Sequence, residues 1–559
     1  MKIMKERYIA LMERTLAAYS DEHIVSYFER VKGEGLTEHG FPRMAANIGI
    51  LIAHGRRTDL MPLFLEMMDF CCEQIPRVKA ANDFSVREIV CALMEIEAAG
   101  AVPTERLEKW KRDIASIDPY TCYDKYAKSK TDRVFNWALF TTVSEYARHA
   151  YGLCNADEFV DIQIPTQLQW LDENGMYRDA LYHPPIIYDV VPRGLFAMLL
   201  HFGYNGPYRD EIDAMLRRAE PISLMMQSVT GEMPFGGRSN QFLHNEAMQL
   251  IVLEYAASRY HKEGNFELAG KFKAACLRAL DCIERWLDRT PVHHVKNRFP
   301  LESKFGCEVY AYFDKYMITL ASNLYNAYML CNDEVVPGEF DVSPMVYQTS
   351  DEFTKLFLRA GGYALELDTD ADPHYDASGL GRVHKADVPS ALCLSLPCPA
   401  MPKYVVGEHP VAMSLAPGIF SDNYWQFATD AYIGRYEVLE KSAGEKAASA
   451  SLLCRFFNAK EVTTDYTVDE SGVTIKATSS DKLAYMLPAF AFDGETHTDI
   501  KLGENVLVVR YQGYACRYTT NGKIIDLDEV GYNRNGHYRG FAAIGNKELE
   551  IKIVLEKQS

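Results

Sequence analysis

The chain has 559 residues, of which 48% are hydrophobic and 24% charged, a composition typical of a folded globular protein and not of a disordered one. The formal net charge of −18 argues against a nucleic acid partner, because phosphate backbones are bound by faces rich in Lys and Arg. The first residues lack the apolar core of a signal peptide, and no segment approaches the ~20 apolar residues of a membrane span. We therefore expect a cytoplasmic protein that does not contact a membrane.

Cysteine and histidine usage fits this expectation. The 13 cysteines are scattered among apolar neighbours without any C-x-x-C pair, as is typical of reduced thiols in a core. His293 and His294 are adjacent but have no third ligand nearby, so no metal site is predicted.

The first part of the chain has the texture of paired helices. Apolar residues recur at helical spacing, as in Ile89, Val90, Leu93 and Met94, and loop signals such as Asn174-Gly175 close successive stretches. Paired helices repeated this often bury two faces, and a ring or an open solenoid achieves that. We predict that residues 1–335 form an (α/α) toroid, with six helix pairs, that carries most of the active site.

The first candidate site precedes the apolar run that starts at Ile89. Asp83 and Glu88 are two carboxylates near a predicted helix start, where helix ends would line the mouth of a ring, so either is a candidate general acid or base. The alternative is structural, because Ser85-x-x-Glu88 fits a helix capping box.

Two further segments resemble walls of a sugar-binding groove. Aromatic faces stack on pyranose rings, and arginine forks bind carboxylates in a bidentate manner. The candidate substrate-binding residues are Asn136, Trp137, Arg178 and Arg193. Alternatively, Trp137 belongs to the core and the arginines only pair with Asp179 and Asp189.

The segment from Pro234 to Glu246 is the most informative. Its double glycine leads through Arg238 and Asn240 to His244 at the start of a long amphipathic helix. Glycines allow close approach of the backbone to a ligand, and a helix N-terminus beside an arginine favours an anion such as a carboxylate. A helix beginning at Asn240 would place His244 on the same face, as a polar pair that grips or deprotonates a sugar acid. The alternative is an ordinary N-cap and a core histidine.

A fourth candidate lies between Phe305 and Tyr316. Helical spacing predicts Glu308, Tyr312 and Tyr316 on one face, at i, i+4 and i+8. A carboxylate beside phenols is typical of acid and base catalysis, although a packed aromatic stripe with one solvated Glu has the same pattern.

Beyond Val335 the apolar period shifts toward two. The predicted strands include Tyr404–Val406, Val473–Ala477, Val506–Val509 and Glu550–Val554, and Asp493-Gly494 and Asn521-Gly522 predict antiparallel hairpins. Residues 345–559 are thus predicted to form an antiparallel β-sandwich, which makes the fold class α+β multidomain. His384, on a glycine-flanked turn, either reaches the toroid as a catalytic residue or is exposed to solvent.

The order of these features resembles the heparinase II/III-type polysaccharide lyases over most of the chain. The resemblance implies that Asn240 neutralises a uronate and that His244 or a tyrosine takes the C5 proton. Tyr310 or Tyr312 would then protonate the leaving oxygen, with His384 assisting. This chain departs from the family pattern, because Gln241-Phe242-Leu243 separates Asn240 from His244.

The segments Glu173–Asp179 and Gly236–Asn240 look more like a heparinase-like branch that includes gut-bacterial β-glucuronidases, which hydrolyse the bond. That likeness implies an acid and base pair drawn from Asp83, Glu88 and Glu308, with Arg238 and Asn240 holding the uronate. We expect an exo-acting hydrolase that removes a terminal uronic acid from an oligosaccharide or glucuronide, and glucuronic acid is the expected sugar. It would need no organic cofactor, and a homo-oligomer is compatible with it. The alternatives are β-elimination by a lyase and a non-catalytic carbohydrate-binding protein.

Overall fold

The computed structural model describes residues 3–421, 423–429 and 432–558. Within them the first 330 residues contain fourteen α-helices and no named strand. The helices are α1 Ile3–Leu16, α2 Asp21–Glu34, α3 Gly40–Ala53, α4 Met61–Gln74, α5 Val86–Ala99, α6 Thr104–Ala115, α7 Pro119–Cys122, α8 Trp137–Ala150, α9 Asp157–Leu168, α10 Ile187–His201, α11 Arg209–Met226, α12 His244–Lys262, α13 Phe266–Leu287 and α14 Phe313–Leu330.

Six of these helices form a closed inner ring. Helices α3, α5, α8, α10, α12 and α14 each contact the next in this order, and α14 packs back against α3. An inner helix is covered on all sides, and α3 accordingly has thirteen buried residues among its fourteen. Outer helices such as α4, α9 and α13 pack against this ring. The predicted toroid is confirmed.

The second part of the chain contains seventeen strands in three sheets, within the residues that the structure describes. The strands are β1 Met345–Gln348, β2 Lys355–Ala360, β3 Tyr363–Asp368, β4 Gly379–Lys385, β5 Pro417–Ser421, β6 Tyr424–Phe427, β7 Gly434–Ala443, β8 Ala448–Phe456, β9 Glu461–Asp469, β10 Gly472–Thr478, β11 Leu483–Phe492, β12 Asp499–Leu502, β13 Val506–Tyr511, β14 Tyr514–Thr520, β15 Lys523–Asn533, β16 Gly536–Gly545 and β17 Glu548–Lys557.

The sheets are antiparallel throughout. One has the order β1-β2-β3-β4, the second β12-β13-β14-β17-β10-β9-β8-β7, and the third β15-β16-β11-β5-β6. The second and third sheets pack together through β10, β11, β16 and β17, and they share one hydrophobic core with the first sheet. The predicted fold class, a helical toroid followed by antiparallel β structure, is confirmed.

Two local predictions about the β part are wrong. Residues 404–406 form no strand, because the Val405 backbone pairs instead with the loop at Gly306 and Cys307 of the helical part. The Asn521-Gly522 turn joins β14 to β15, which lie in different sheets and do not pair, so it is a crossover and not a hairpin. In both places long-range pairing overrides a local signal.

No helix in the described ranges combines the length and the apolar character that a bilayer span requires. All thirteen cysteines carry free thiols, and twelve of them are buried.

Candidate active site

The double-glycine loop enters the ring at the N-terminus of α12. Gly237 has φ +74°, and a Cβ at this position would lie 2.8 Å from the Pro185 Cα, so only glycine fits. Ser239 and Gln241 also have positive φ, of 60° and 61°. Left-handed non-glycine residues cost on the order of 1–3 kcal/mol each and persist where surrounding contacts fix them, often at ligand-binding sites.

Two buried carboxylates from outside the loop hold its backbone in place. The Gly237 amide donates to Asp376 Oδ2 at 2.6 Å, and the Ser239 amide donates to Glu308 Oε1 at 2.7 Å. Arg534 of the sheet domain grips both oxygens of Glu308, at 2.6 and 2.8 Å. The sheet domain therefore fixes the position of this loop in the ring.

Ser239 joins two phenols. Its Oγ lies 3.0 Å from the Tyr188 hydroxyl and 2.9 Å from the Tyr310 hydroxyl. Tyr310 is 42% exposed and so faces the open side of this group. Burial, and then the neighbouring Glu308 carboxylate, raise the pKa of Tyr310, so its phenol carries a proton at neutral pH.

Arg238 lies beside these phenols. Its guanidinium carbon is 4.7 Å from the centre of the Tyr188 ring, and its Nη2 donates to Asp179 Oδ2 at 2.6 Å. The buried Asn136 side chain donates to the other oxygen of Asp179. The Arg238 side chain remains 43% exposed, so part of its guanidinium is available to an anionic ligand.

His244 begins α12 behind this group. Its ring lies 5.5 Å from the rings of both Phe242 and Tyr316, and Tyr316 is in turn 6.1 Å from Tyr310. Burial, and then the charge of Arg43, lower the pKa of His244 to about 3. At neutral pH the imidazole is therefore unprotonated, as a general base must be.

The predicted start of this helix at Asn240 is wrong by four residues. The Leu243 amide donates to the His294 carbonyl at 2.9 Å, and Phe242 pairs with Val295, so the backbone before His244 bonds to a neighbouring segment and not within a helix. Asn240 is almost fully buried, and its Nδ2 donates to the Pro234 carbonyl at 3.3 Å, within its own loop.

A lysine and further aromatic side chains lie close to His244 in the helical ring. Lys315 Nζ lies 4.6 Å from the Tyr312 ring and 5.7 Å from the Tyr316 ring, and it forms no salt bridge with a described residue. Trp137, 38% exposed, packs edge-on against Phe84 with ring centres 4.9 Å apart. The exposed tryptophan offers stacking area to a sugar ring, and the lysine offers charge to an acidic group.

Several buried polar atoms near Phe84 and α12 have no hydrogen-bond partner among the described residues. They are His39 Nδ1, Ser85 Oγ, Glu88 Oε2, Asn136 Oδ1 and His244 Nδ1. Native proteins leave few buried polar atoms unpaired, and such atoms are commonly met by water or ligand. Ser85 caps no helix through its side chain, so the capping box predicted here is not formed.

The three carboxylates predicted to be catalytic are each held by different partners. Asp83 accepts hydrogen bonds from the backbone amides of residues 124 and 125, both at 3.0 Å, and burial raises its pKa to about 6. Glu88 Oε1 lies 2.7 Å from Arg87 Nη2 and 3.5 Å from Arg43 Nε. Glu308 is engaged by Arg534 and Ser239, as described above. No two of them share a partner.

The predicted helix through Glu308 is also wrong, because α14 begins at Phe313. Glu308 lies in the preceding loop, where Arg534 and the Ser239 amide fix it. Tyr312 stands immediately before α14 and is 40% exposed.

Three other predicted site residues lie outside this group. Arg178 pairs with Glu352 at 2.7 Å, and Arg193 is fully buried in a salt bridge with Asp189. His384 is also fully buried, with its Nδ1 2.8 Å from Ser228 Oγ and 3.1 Å from Thr230 Oγ1. The structure thus brings together Arg238, His244, Glu308, Tyr310 and Tyr312, with Asn136 and Trp137 alongside.

Sequence reasoning missed Ser239, Lys315 and Arg43. A detectable signal existed for Arg43, which is a charged residue within the otherwise apolar helix α3 and is buried there. Buried arginines are rare unless they are paired, so such a residue marks a polar site. In the described part of the chain, no group of three or more His, Cys, Asp or Glu residues is arranged to hold a metal ion.

Comparison with solved structures finds matches over most of the chain at 8–10% sequence identity. Heparinase III matches with a TM-score of 0.49 and 8% identity, over 91% of this chain and 76% of its own. A heparan sulfate lyase mutant from Pedobacter heparinus matches with a TM-score of 0.44 and 9% identity, over 93% and 77%. The chondroitin AC lyase of Streptomyces coelicolor A3, in complex with chondroitin sulphate, matches with a TM-score of 0.46 and 10% identity, over 99% of this chain and 80% of its own. No protein-family model and no curated protein sequence matches the chain.

The prediction of a hydrolase is wrong. The structural neighbours are polysaccharide lyases, and none of those named above is a β-glucuronidase. The three candidate carboxylates have separate partners: Asp83 is held by backbone amides, Glu88 by two arginines and Glu308 by Arg534.

Proposed function

We propose that the protein is a lyase that cleaves uronic acid-containing oligosaccharides or polysaccharides by β-elimination. One arrangement carries the proposal. The rings of the unprotonated His244 and the protonated Tyr310 lie 5.5 and 6.1 Å from the Tyr316 ring, Lys315 lies 5.7 Å from that ring, and Arg238 is half-exposed. A base, an acid and a neutraliser of a carboxylate are the parts that this reaction needs.

The reaction begins at the carboxylate of the substrate. A cation beside that carboxylate stabilises the negative charge that develops when the C5 proton leaves, and this lowers the barrier to its removal. His244 takes the proton, the electrons of the C5–H bond form the C4=C5 double bond, and the C4–O4 bond breaks. Tyr310 gives its proton to the departing O4. Atoms and charge balance without any further reactant.

The environment of His244 fits a base that is activated by its own substrate. In the free protein, burial and the charge of Arg43 keep the pKa of His244 at about 3. A bound uronate places a negative charge nearby and thereby raises this pKa, because an opposite charge favours the protonated form. The unpaired Nδ1 also leaves a buried ring nitrogen whose hydrogen bond is unmet in the free protein.

The Ser239 hydroxyl fits a path for returning a proton to Tyr310. It contacts both Tyr310 and Tyr188, and Arg238 lies over the Tyr188 ring. Burial raises the pKa of Tyr188, and the positive charge of Arg238 opposes this rise by favouring the ionised phenol. Asn240, which the family resemblance assigns to the uronate, holds the loop backbone here, so we assign neutralisation to Arg238 and Lys315.

The test is product formation from uronate polymers. Heparan sulfate and chondroitin sulfate are incubated with the protein, and the ultraviolet absorbance of the conjugated C4=C5 uronate is followed. Carboxyl-reduced polymers, which lack the acidic group, serve as the matched substrate control and should give no signal. Binding without turnover, or new reducing ends without the absorbance, would contradict the proposal.

Substitution of the acid sharpens this test. Tyr310→Phe removes only the hydroxyl and should lower kcat about 10²- to 10⁴-fold, the usual share of a general acid. Tyr424→Phe, at an exposed tyrosine of the sheet domain, is the control and should retain full activity. Equal activities of these two variants would remove Tyr310 from the mechanism.

We further propose a reducing compartment, the cytoplasm, as the location of the protein. Free thiols at all thirteen cysteines support this proposal, since disulfides form in oxidising compartments. Fractionation of the native host, followed by immunodetection, provides the test.

A further inference from the structure

A cavity lies between the helical ring and the sheet domain. It has a volume of about 480 Å³ and is lined by the end of α13, the loop from Val229 to Glu232, the loop from Asp387 to Ala391 and the β13–β14 turn. None of the residues placed above in the candidate active site lines it. Its volume falls in the range of small-molecule sites, about 300–1,000 Å³.

Arginines dominate one wall of this cavity. Arg278 and Arg285 lie seven residues apart on α13, and Arg289 follows four residues later, just past the helix end, so all three share one face. Arg298 lines the cavity from the next loop. Four guanidinium groups around one small space repel each other unless anions intervene.

Three of these arginines have no acidic partner in the described part of the chain. Each donates to a backbone carbonyl only, Arg278 to Val229 at 2.7 Å, Arg285 to Thr230 at 2.6 Å and Arg289 to Asn297 at 2.6 Å. By contrast, Arg298 forms salt bridges with Asp493 and Glu495, at 3.2 and 3.1 Å. Acidic residues act on them only without direct contact, Asp387 and Asp281 on Arg278, and Asp493 and Glu495 on Arg289. The three guanidinium groups thus remain available to a ligand.

Among the three, Arg289 has the clearest unmet hydrogen bond. Its Nε is buried and has no hydrogen-bond acceptor among the described residues. Burial, and then the neighbouring charge of Arg298, lower the pKa of Arg289 to about 10. A buried donor without an acceptor is unfavourable, so an acceptor bound at this point is favoured.

The acidic residues that also line the cavity do not cancel this charge. Asp281 is paired with Arg7 at 2.6 Å, and Asp387 is exposed. Burial alone would raise the pKa of Glu232, but Lys296 and other cations lower it to about 2, so its charge is already compensated. These acids offset only part of the arginine charge, which favours a ligand with a single anionic group over a polyanion.

We infer that this cavity binds a small sugar-sized molecule through one sulfate or phosphate ester group. A guanidinium group donates two parallel hydrogen bonds to a tetrahedral oxyanion, and Arg278, Arg285 and Arg289 along one face can bind such a group together. Trp286, Tyr511 and Tyr514 line the remaining space and offer aromatic faces to the organic part. The inference is independent of the proposed lyase activity, because the two sites share no residue.

Calorimetric titration of the full chain tests the inference. The probes are glucose 6-phosphate, glucose 6-sulfate and unmodified glucose. At least one ester should bind, glucose should not, and the stronger of the two identifies the phosphate or sulfate source. Esters that bind no better than glucose would overturn the inference.

Two variants locate the binding. Arg285→Gln and Arg289→Gln should each weaken the affinity for the ester about tenfold or more, since each removes a charge-assisted hydrogen bond. Arg209→Gln, at an arginine outside the cavity that pairs with Asp210, should bind as the wild type does. Arg285 is exposed, so its variant tests the inference even where Arg289→Gln fails to fold. Unchanged affinity in Arg285→Gln would overturn the assignment.

Discussion

Glu308 and Arg534 form a bidentate ion pair that joins the helical ring to the sheet domain, with Oε–Nη distances of 2.6 and 2.8 Å. Both side chains are almost fully buried. The Glu308 carboxylate also accepts a hydrogen bond from the Ser239 amide. The ion pair therefore couples the domain interface to the loop whose Ser239 hydroxyl contacts Tyr310. Charges buried this deeply depend on one another, because an isolated one is poorly solvated.

Arg534→Met should therefore be severe. It leaves the Glu308 charge buried without a partner, and breaking such a pair costs about 3–5 kcal/mol. We expect a loss of this size in the free energy of unfolding, measured in urea, together with a fall in lyase kcat/KM as the Ser239 loop loses its anchor.

The double variant Glu308→Met/Arg534→Met is the matched control. Because it removes the stranded charge as well, it should recover part of the stability but none of the activity. If the single and the double variants unfold with the same free energy, the buried charge is not the source of the loss.

His244 makes a specific contribution to pH dependence. In the unfolded chain the His244 imidazole has its ordinary pKa of 6.5 and binds a proton when the pH falls below that value. In the native state its pKa is about 3, so it stays unprotonated over the same range. Between pH 3 and 6.5 the unfolded state binds more protons than the native state, so the free energy of unfolding rises with pH across this window. The stabilising contribution of the neutral His244 is complete above pH 6.5. Lowering the pH from 7.5 to 5 should cost the wild type about 2 kcal/mol more than His244→Asn.

Urea unfolding of both proteins at the two pH values measures this difference. Between pH 7.5 and 8.5 the imidazole is neutral in both states, so wild type and variant should change by the same amount there. Equal losses between pH 7.5 and 5 would show that His244 titrates alike in the folded and unfolded chains.

Local periodicity was sufficient to predict the architecture. The apolar repeat of α5 and the alternation of β10, β13 and β17 are signals carried within one segment, and they specify helix or strand regardless of distant partners. The pairing of strands was not local. The Asn521-Gly522 signal correctly marks a turn, but the strands on either side of it pair elsewhere.

The candidate site could be predicted only in part, for the same reason. Arg238 and His244 were identified because glycines and a helix start mark a ligand loop, whereas Tyr310 was a candidate only through the family resemblance. The hydroxyl of Ser239 was not identified, because its partners lie 51 and 71 residues away in sequence. The carboxylate of Glu308 was assigned to catalysis, since its partner Arg534 is 226 residues distant and nothing near Glu308 indicates it.

Trp137 should contribute to substrate affinity more than to turnover. It is 38% exposed and rests against Phe84, so its free face can stack on a sugar ring. Trp137→Ala should raise KM about 3- to 10-fold with little change in kcat, because an aromatic stacking contact contributes about 0.5–1.5 kcal/mol. Steady-state kinetics on the preferred polymer measure both constants.

Phe457→Ala, at an exposed phenylalanine of the sheet domain, is the control for Trp137 and should leave KM unchanged. A fall in kcat without a change in KM for Trp137→Ala would place this side chain in the chemical step and not in binding.

Gly237→Ala tests whether the loop geometry is required. Alanine at φ +74° is strained by about 1–2 kcal/mol, and its Cβ would also lie 2.8 Å from the Pro185 Cα, a contact that backbone atoms relieve only by moving. The loop must shift, and with it the Ser239 hydroxyl that meets both phenols. We expect loss of lyase activity greater than the loss of stability would explain.

Gly264→Ala separates the two effects. This glycine has φ +80°, and no atom lies within 4 Å of where its Cβ would stand, so alanine there suffers the same backbone strain without a clash. Its free energy of unfolding should fall by about 1–2 kcal/mol with kcat/KM unchanged, whereas Gly237→Ala should lose both. Full activity in Gly237→Ala would mean that the loop tolerates displacement, and the Ser239–Tyr310 contact would then carry no weight in catalysis.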